Sequence, residues 1–103
     1  MSQAPVSYEV TVRLPTEAEG ERFSTWMRMT HIPAVMATSC FRSAELARLE
    51  PAAFRTRYLA ASPADLDRYL SVHAAGLRDD FAREFGATAK VSREHWEVLA
   101  AWP

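Results

Sequence analysis

The hydrophobic periodicity of this chain changes several times between that of a strand and that of a helix. Apolar residues occupy every second position from Val6 to Leu14, which is the period of a strand with one buried face. Phe23, Trp26 and Met27 instead recur at i, i+3 and i+4, which is typical of a helix with one buried stripe. Because each change of period marks a new element, the order of elements can be followed along the chain, and that order restricts the fold.

The first predicted helix lies between a threonine and a proline. Thr16 and Glu19 have the spacing of a capping box, in which the two side chains satisfy free backbone amides at a helix start. Pro33 is expected to end the helix near His31, because the residue before a proline is pushed out of the α region. Residues 33–39 are therefore predicted to form a short connection.

The middle and the end of the chain have strand character. Residues 40–49 and 54–61 are predicted to pair as a hairpin around the turn chemistry of Glu50 and Pro51,. Residues 89–100 alternate again between polar and apolar side chains, so they are predicted to form a last strand.

The second helix has the clearest start in the chain. Ser62 suits the N-cap position and Pro63 the first helical position, where a missing N–H costs nothing,. Gly86 is predicted to end the helix as a left-handed C-cap. One apolar stripe joins these two ends, and it consists of Leu66, Tyr69, Leu70, His73, Leu77, Phe81 and Phe85,.

The resulting order, strand, helix, strand, strand, helix, strand, is the split βαβ pattern of the ferredoxin-like fold. Right-handed crossovers would place the first and third strands at the centre of a four-stranded antiparallel sheet, with both helices on one face. The predicted fold class is therefore α+β, ferredoxin-like βαββαβ. A chain of 103 residues has the length of one domain, so residues 1–103 are predicted to form a single domain.

The face of the sheet opposite the helices has no cover within the predicted fold. Ser7, Glu9 and Arg13 would allow that face to be solvated, but Phe54 and Tyr58 are expected to lie on it as well. Three Trp, three Tyr and five Phe are many for so small a core. A second copy of the chain would bury the surplus aromatic area, and a homodimer is therefore predicted.

Charge and composition exclude several partners. A net charge of −1 provides no field to attract nucleic acid or an acidic membrane. No apolar run reaches the ~18 residues that cross a bilayer.

The location is predicted from two further features. Met1 to Tyr8 lack the pattern of a signal peptide, and Cys40 is the only cysteine, which suits a reducing compartment. The predicted location is cytoplasmic, with no membrane and no nucleic-acid partner.

Cofactor and metal motifs are absent from the sequence. His31, His73, His95 and Cys40 are scattered over separate elements without a short-range pair of ligands, so no metal site is predicted. Glycine-rich loops that cradle phosphates are missing as well, and no cofactor is predicted. The arginines of the middle hairpin are diluted by acidic residues, and its strands lack the glycine-aromatic consensus of RNA-binding sheets.

Several segments resemble a family of short bacterial proteins of unknown function. They are Tyr8 to Val12, His31 to Phe41 and Leu66 to Leu70. The family is similar to the dimeric α+β barrel superfamily, which implies a homodimer of ferredoxin-like subunits. The superfamily includes cofactor-independent monooxygenases, small-molecule isomerases, haem-degrading enzymes and proteins with no assigned activity. A glycine of the family pattern is replaced by Ser39, which argues against a left-handed turn at that point.

Four residues are candidates for binding a small organic ligand: His31, His73, Trp26 and Tyr69. His31 is expected at a helix C-terminus that favours its charged form, or else faces a cavity as an acid or base. His73 lies on the apolar stripe, either as a buried neutral histidine or as part of a site, and is expected to face inward. Trp26 and Tyr69 are expected in the core, where they would also line a pocket.

Three functions remain open at this point. The first is a cytoplasmic homodimer that binds a small organic ligand in one apolar cavity per subunit. The second is a cofactor-independent enzyme, monooxygenase-like or isomerase-like, that acts on an aromatic or polyketide-like substrate with His31 or His73 as acid or base. The third is a dimeric module without a pocket, and the size of the internal cavity distinguishes it from the other two.

Overall fold

A computed structural model describes residues 4–103 of the chain; Met1–Gln3, the start of the segment searched for a signal peptide, lie outside the described residues. The strands are β1 (Val6–Arg13), β2 (Ser43–Glu50), β3 (Ala53–Ala60) and β4 (Lys90–Glu97). They form one antiparallel sheet in the order β2-β3-β1-β4. The first and third strands are therefore central, as the sequence predicted.

Two long helices, residues 17–36 and 63–85, each contain a π-helical turn. Their segments are α1 (Glu17–Trp26), the turn Met27–His31 and α2 (Ile32–Met36), then α3 (Pro63–Arg68), the turn Tyr69–His73 and α4 (Ala74–Phe85). Both predicted N-caps are confirmed, since the Thr16 and Ser62 hydroxyls accept backbone hydrogen bonds of 3.1 and 3.4 Å. The arrangement confirms the ferredoxin-like α+β fold.

The core lies between the sheet and the two helices and consists of two clusters. One is built around the tyrosines of β1, β3 and the second helix, namely Tyr8, Tyr58 and Tyr69. The other is built around Phe23, which is fully buried against Phe54 and Phe85. Half-buried Val10 packs against both clusters, so the centre of β1 marks their junction.

The register of the sheet corrects the expected position of two aromatic residues. Tyr58 lies directly opposite Tyr8, and Phe54 lies directly opposite Val12, so all four side chains share the face that the helices cover. Tyr58 and Phe54 are only 2% and 3% exposed. The expectation that they lie on the open face was wrong, because aromatic content does not define the phase of a strand, whereas pairing with β1 does.

The sequence predicted that Pro33 ends the first helix, and this prediction was wrong. The helix continues through Pro33 to Met36, and the Ile32 amide donates to the carbonyl oxygen of Met27, five residues earlier. A proline inside a helix lacks a donor, and its ring crowds the carbonyl four residues earlier. The wider π-helical turn before Pro33 accommodates both effects.

Two backbone expectations at the helix ends were also wrong. Ser39 has a φ of 62° and Gly86 a φ of −62°, so the serine adopts the left-handed conformation and the glycine does not. The guanidinium of Arg68 donates to the Ser39 carbonyl at 3.2 Å and to the Thr38 carbonyl at 3.4 Å. These tertiary hydrogen bonds help to hold a conformation that serine by itself disfavours.

Candidate functional site

A cavity lies between the sheet and the helices, at the junction of the two core clusters. Its volume is about 40 Å³, which is room for about two ordered water molecules. Its apolar wall is formed by Val10, Val12, Phe23, Met27, Phe81 and Val91. Its polar groups belong to Tyr8, Tyr58, His31, Arg78 and Arg93.

The polar wall of the cavity comes from three different elements. Arg78 on α4 donates a hydrogen bond of 3.2 Å from Nη2 to the Tyr8 hydroxyl on β1. Arg93 lies directly opposite Val10 in the register of β1 and β4, so its side chain leaves the sheet on the helix side. Tyr58 on β3 is buried, and within residues 4–103 its hydroxyl has no hydrogen-bond partner.

Tyr58 and Tyr69 keep their protons at physiological pH. Burial, followed by the neighbouring phenols of Tyr69 and Tyr8, raises the pKa of Tyr58 above its ordinary value. Burial and Tyr8 likewise raise the pKa of Tyr69 to about 12, although Arg78 and Arg93 act in the opposite direction. The phenols of Tyr58 and Tyr69 are therefore neutral hydrogen-bond donors.

His31 is the histidine that borders the cavity. It is the last residue of the first π-helical turn, and its ring stacks on Trp26 with centroids 4.8 Å apart. Burial lowers the pKa of His31, and the charge of Asp80 partly opposes that shift. The expected stabilisation of the imidazolium at a helix end was wrong, because the helix continues to Met36 and its negative end lies beyond His31.

His73 lies in a different place. It is the last residue of the second π-helical turn and is half-buried, with its ring centroid 6.5 Å from that of Tyr69. A groove of about 540 Å³ between the two long helices contains His73 together with Asp79 and Asp80. The two candidate histidines therefore lie at two different places, His31 at the cavity and His73 in the groove between the helices.

Trp26 and Tyr69 lie outside the cavity wall and pack against residues that form it. Trp26 packs against His31, Phe81 and Phe85, and Tyr69 packs against Tyr8 with centroids 5.9 Å apart. Among the four candidates, only His31 is part of the cavity wall itself. The polar groups that the sequence interpretation missed come from separate elements, and only the sheet register and the helix phase bring them together.

Protonation of His31 should make stability depend on pH. A histidine in the unfolded chain has a pKa of about 6.5, and burial holds the pKa of His31 below its usual value. The unfolded chain therefore takes up this proton first, so the contribution of neutral His31 to stability is complete above about pH 6.5 and is lost as the pH falls below it. Thermal melts between about pH 7.5 and pH 5 should show a steeper loss of stability in the wild type than in His31→Gln. Parallel curves for the two proteins would contradict this assignment.

Within residues 4–103, no three His, Cys, Asp or Glu side chains come together in a group that could hold a metal ion. The thiol of Cys40 is buried, and its Sγ lies 3.7 Å from the Thr38 carbonyl oxygen. None of the helices in the described part of the chain is long and apolar enough to cross a membrane.

The sequence matches one protein family, which is described as a domain of unknown function, DUF4286. The match covers residues 6–99 and thus nearly the whole chain. None of the curated proteins matches the sequence.

Solved structures share the fold at low sequence identity. A dimeric ferredoxin-like protein from an uncultured marine organism has a TM-score of 0.79 and 13% identity, with 96% of this chain and 99% of that chain covered. A variant of SnoaB, a cofactor-independent oxygenase from Streptomyces nogalater, has a TM-score of 0.73 and 14% identity over 97% of this chain and 98% of that one. A protein of unknown function from Nitrosomonas europaea has a TM-score of 0.71 and 18% identity over 98% and 95%. At these identities the likeness establishes the fold alone.

Proposed function

The chain belongs to the DUF4286 family of domains of unknown function, and we propose that it is a homodimeric protein that binds a small organic molecule between its sheet and its helices. The cavity at the junction of the core clusters is the binding site. Its wall combines apolar side chains with convergent polar groups, which is the usual composition of a small-molecule site.

The unpartnered hydroxyl of Tyr58 is the observation that carries this proposal. Its side chain is 2% exposed and borders the cavity. Arg55 Nε is the one fully enclosed side-chain nitrogen or oxygen without a hydrogen bond in residues 4–103, so the Tyr58 hydroxyl is not sealed inside the core and remains available as a donor to a molecule in the cavity. On binding, an oxygen atom of the ligand would accept a hydrogen bond from this hydroxyl.

The cavity must expand to admit an organic molecule. Its volume of about 40 Å³ is well below the ~300 Å³ of ordinary ligand pockets. Arg78 and Arg93 are exposed and Phe81 is half-buried, so these side chains can move without opening the core. Met27 is buried in the wall, but its unbranched thioether side chain adapts readily to a new shape.

Filling the cavity should abolish ligand binding. Val91 is half-buried on β4 and faces the cavity from the position opposite Val12, so Val91→Phe places a ring where the ligand would lie. Val72→Phe makes the same change at a side chain that is 68% exposed and serves as the control. Small aromatic phenols, acids and amides, followed by two-dimensional NMR, should shift resonances of cavity residues in the wild type and in Val72→Phe. Binding to folded Val91→Phe should weaken about tenfold or more, as expected when the binding space is filled, and unchanged binding would contradict the proposal.

The interface of the proposed homodimer is the open face of the sheet, which is the face opposite the helices. Trp96 lies opposite Ser7 on that face and is 52% exposed. The Arg55 Nε is the one buried side-chain nitrogen or oxygen that lacks a hydrogen bond within residues 4–103, and it belongs to the same face. After β4, Leu99 and Trp102 are 86% and 85% exposed. A second copy of the chain would cover these apolar groups and supply an acceptor for Arg55.

A second candidate function is a cofactor-independent enzyme on an aromatic or polyketide-like substrate. The observation that favours it is the neutral imidazole of His31 at the cavity wall, since burial lowers its pKa. A neutral imidazole can take a proton from an acidic C–H or O–H group of a bound molecule. In that case His31→Gln would abolish turnover and leave binding intact, whereas a simple binding protein would have no turnover to lose.

A further inference from the structure

Two arginines of the cavity have no acidic partner. Within residues 4–103, Arg78 and Arg93 form no ion pair, and they border the same cavity. By contrast, seven arginines are paired with carboxylates in this part of the chain: Arg13, Arg22, Arg48, Arg55, Arg57, Arg68 and Arg83. Four arginines of this part of the chain therefore have no ion pair, and two of them, Arg78 and Arg93, border the candidate site, whereas Arg28 and Arg42 are not in its lining.

The lining of the cavity contains no aspartate or glutamate. Asp80 is the carboxylate whose charge reaches His31, and it is already engaged in an ion pair with Arg83. Arg78 donates one hydrogen bond to the Tyr8 hydroxyl, which leaves most of its five N–H groups available. The cavity therefore has an excess of positive charge and of hydrogen-bond donors.

The two guanidinium groups act on the same phenol, that of Tyr69, which packs against Tyr8 of the cavity wall. The charges of Arg78 and Arg93 both favour the ionised form of Tyr69, so both lie within electrostatic reach of its hydroxyl. They come from different layers of the fold, since Arg78 belongs to α4 and Arg93 to edge strand β4. A small anionic group placed between them would receive charge-assisted hydrogen bonds from two directions.

We propose that the cavity selects organic anions, with a carboxylate between Arg78 and Arg93 and an apolar ring against the opposite wall. This inference rests on the proposed function and names its ligand class. Binding of the carboxylate replaces the contact between Arg78 and Tyr8, and the ring lies against Met27 and Val91. Neutral molecules of the same shape leave both guanidinium groups without a counter-charge and bind more weakly.

Benzoate and benzamide provide a matched pair of probes, because they share a ring and differ in charge. Both are titrated into the wild-type protein at neutral pH and low salt, and resonances of the cavity residues are followed by two-dimensional NMR. Wild type should bind benzoate about tenfold more tightly than benzamide, as expected for charge-assisted hydrogen bonds. The preference should disappear in Arg78→Gln and in Arg93→Gln. Arg42→Gln makes the same charge change at an exposed residue that is not in the cavity lining, and it should retain the preference.

The other possible results distinguish failure of the anion inference from failure of the proposed function. Equal binding of the two probes at the cavity would overturn the selection of anions while supporting the cavity as a binding site. A preference for benzoate that survives in Arg78→Gln and Arg93→Gln would also overturn it, because the anion would then lie elsewhere. If neither probe shifts a cavity resonance at millimolar concentration, both the anion inference and the proposed function fail.

Discussion

Replacing Tyr58 with glutamate is expected to unfold the subunit, whereas replacing Trp96 with glutamate is expected to leave it folded and to halve its mass in solution. The Tyr58 side chain is 2% exposed and packs against Phe41 with ring centroids 5.1 Å apart. Removing a buried aromatic ring costs about 3–5 kcal/mol, and burying a carboxylate adds a further penalty. That total approaches the whole stability of a domain, about 5–15 kcal/mol.

The same charge on the open face has a different effect. Trp96 is 52% exposed on edge strand β4, so Trp96→Glu removes little core packing and instead places a charge in the proposed dimer interface. Light scattering coupled to size exclusion should give twice the chain mass for the wild type and the single chain mass for Trp96→Glu. Circular dichroism should show a folded Trp96→Glu and an unfolded Tyr58→Glu. A monomeric wild type, or a folded Tyr58→Glu, would contradict these assignments.

The two helical glycines are expected to respond in opposite ways to alanine. A Cβ on Gly20 would lie 2.2 Å from the carbonyl oxygen of Pro51 and 3.1 Å from the Ala52 Cα. Both contacts are with backbone in the turn between β2 and β3, so α1 itself must move. Overpacking of this kind typically costs about 1–3 kcal/mol. A Cβ on Gly76 would meet no atom within 4 Å, so Gly76→Ala should increase the free energy of unfolding by up to about 1 kcal/mol through helix propensity alone.

Denaturant unfolding of the two variants measures this contrast directly. Gly20→Ala should lower the unfolding midpoint, and Gly76→Ala should raise it, with the slope of the transition unchanged because the surface exposed on unfolding is the same. Gly76→Ala thus controls for the general effect of alanine in a helix. An increase in stability for Gly20→Ala would show that the close approach of α1 to the turn is not required by the fold.

The features predicted correctly from the sequence are those that depend on short stretches of chain. Thr16 and Ser62 cap their helices as expected, because a cap requires only a side-chain oxygen and a backbone amide a few residues further along. The order of strands and helices was readable for the same reason. The central positions of β1 and β3 then followed from the handedness of the crossovers, without knowledge of individual contacts.

Predictions made from a residue and its immediate neighbours failed where the surrounding structure changed the conformation or the environment of that residue. Pro33 would end an isolated helix, but the π-helical turn before it allows the helix to continue. Ser39 is disfavoured in the left-handed region, but hydrogen bonds from Arg68 hold it there. His31 would have been stabilised in its charged form at a helix end, whereas burial beside Trp26 has the opposite effect.

The sequence by itself determined the elements, their order and the ferredoxin-like fold, because periodicity, caps and crossover handedness all act within one element or between consecutive elements. Only the tertiary structure decided which face of β3 carries Tyr58, and which groups share a cavity. Arg78 and Arg93 come from α4 and β4, and they border one cavity with Tyr8 only through the register of the sheet and the phase of the second helix. A shift of one residue in a strand moves every side chain to the other face, so the composition of the site depends on pairing between distant segments, which no local pattern specifies.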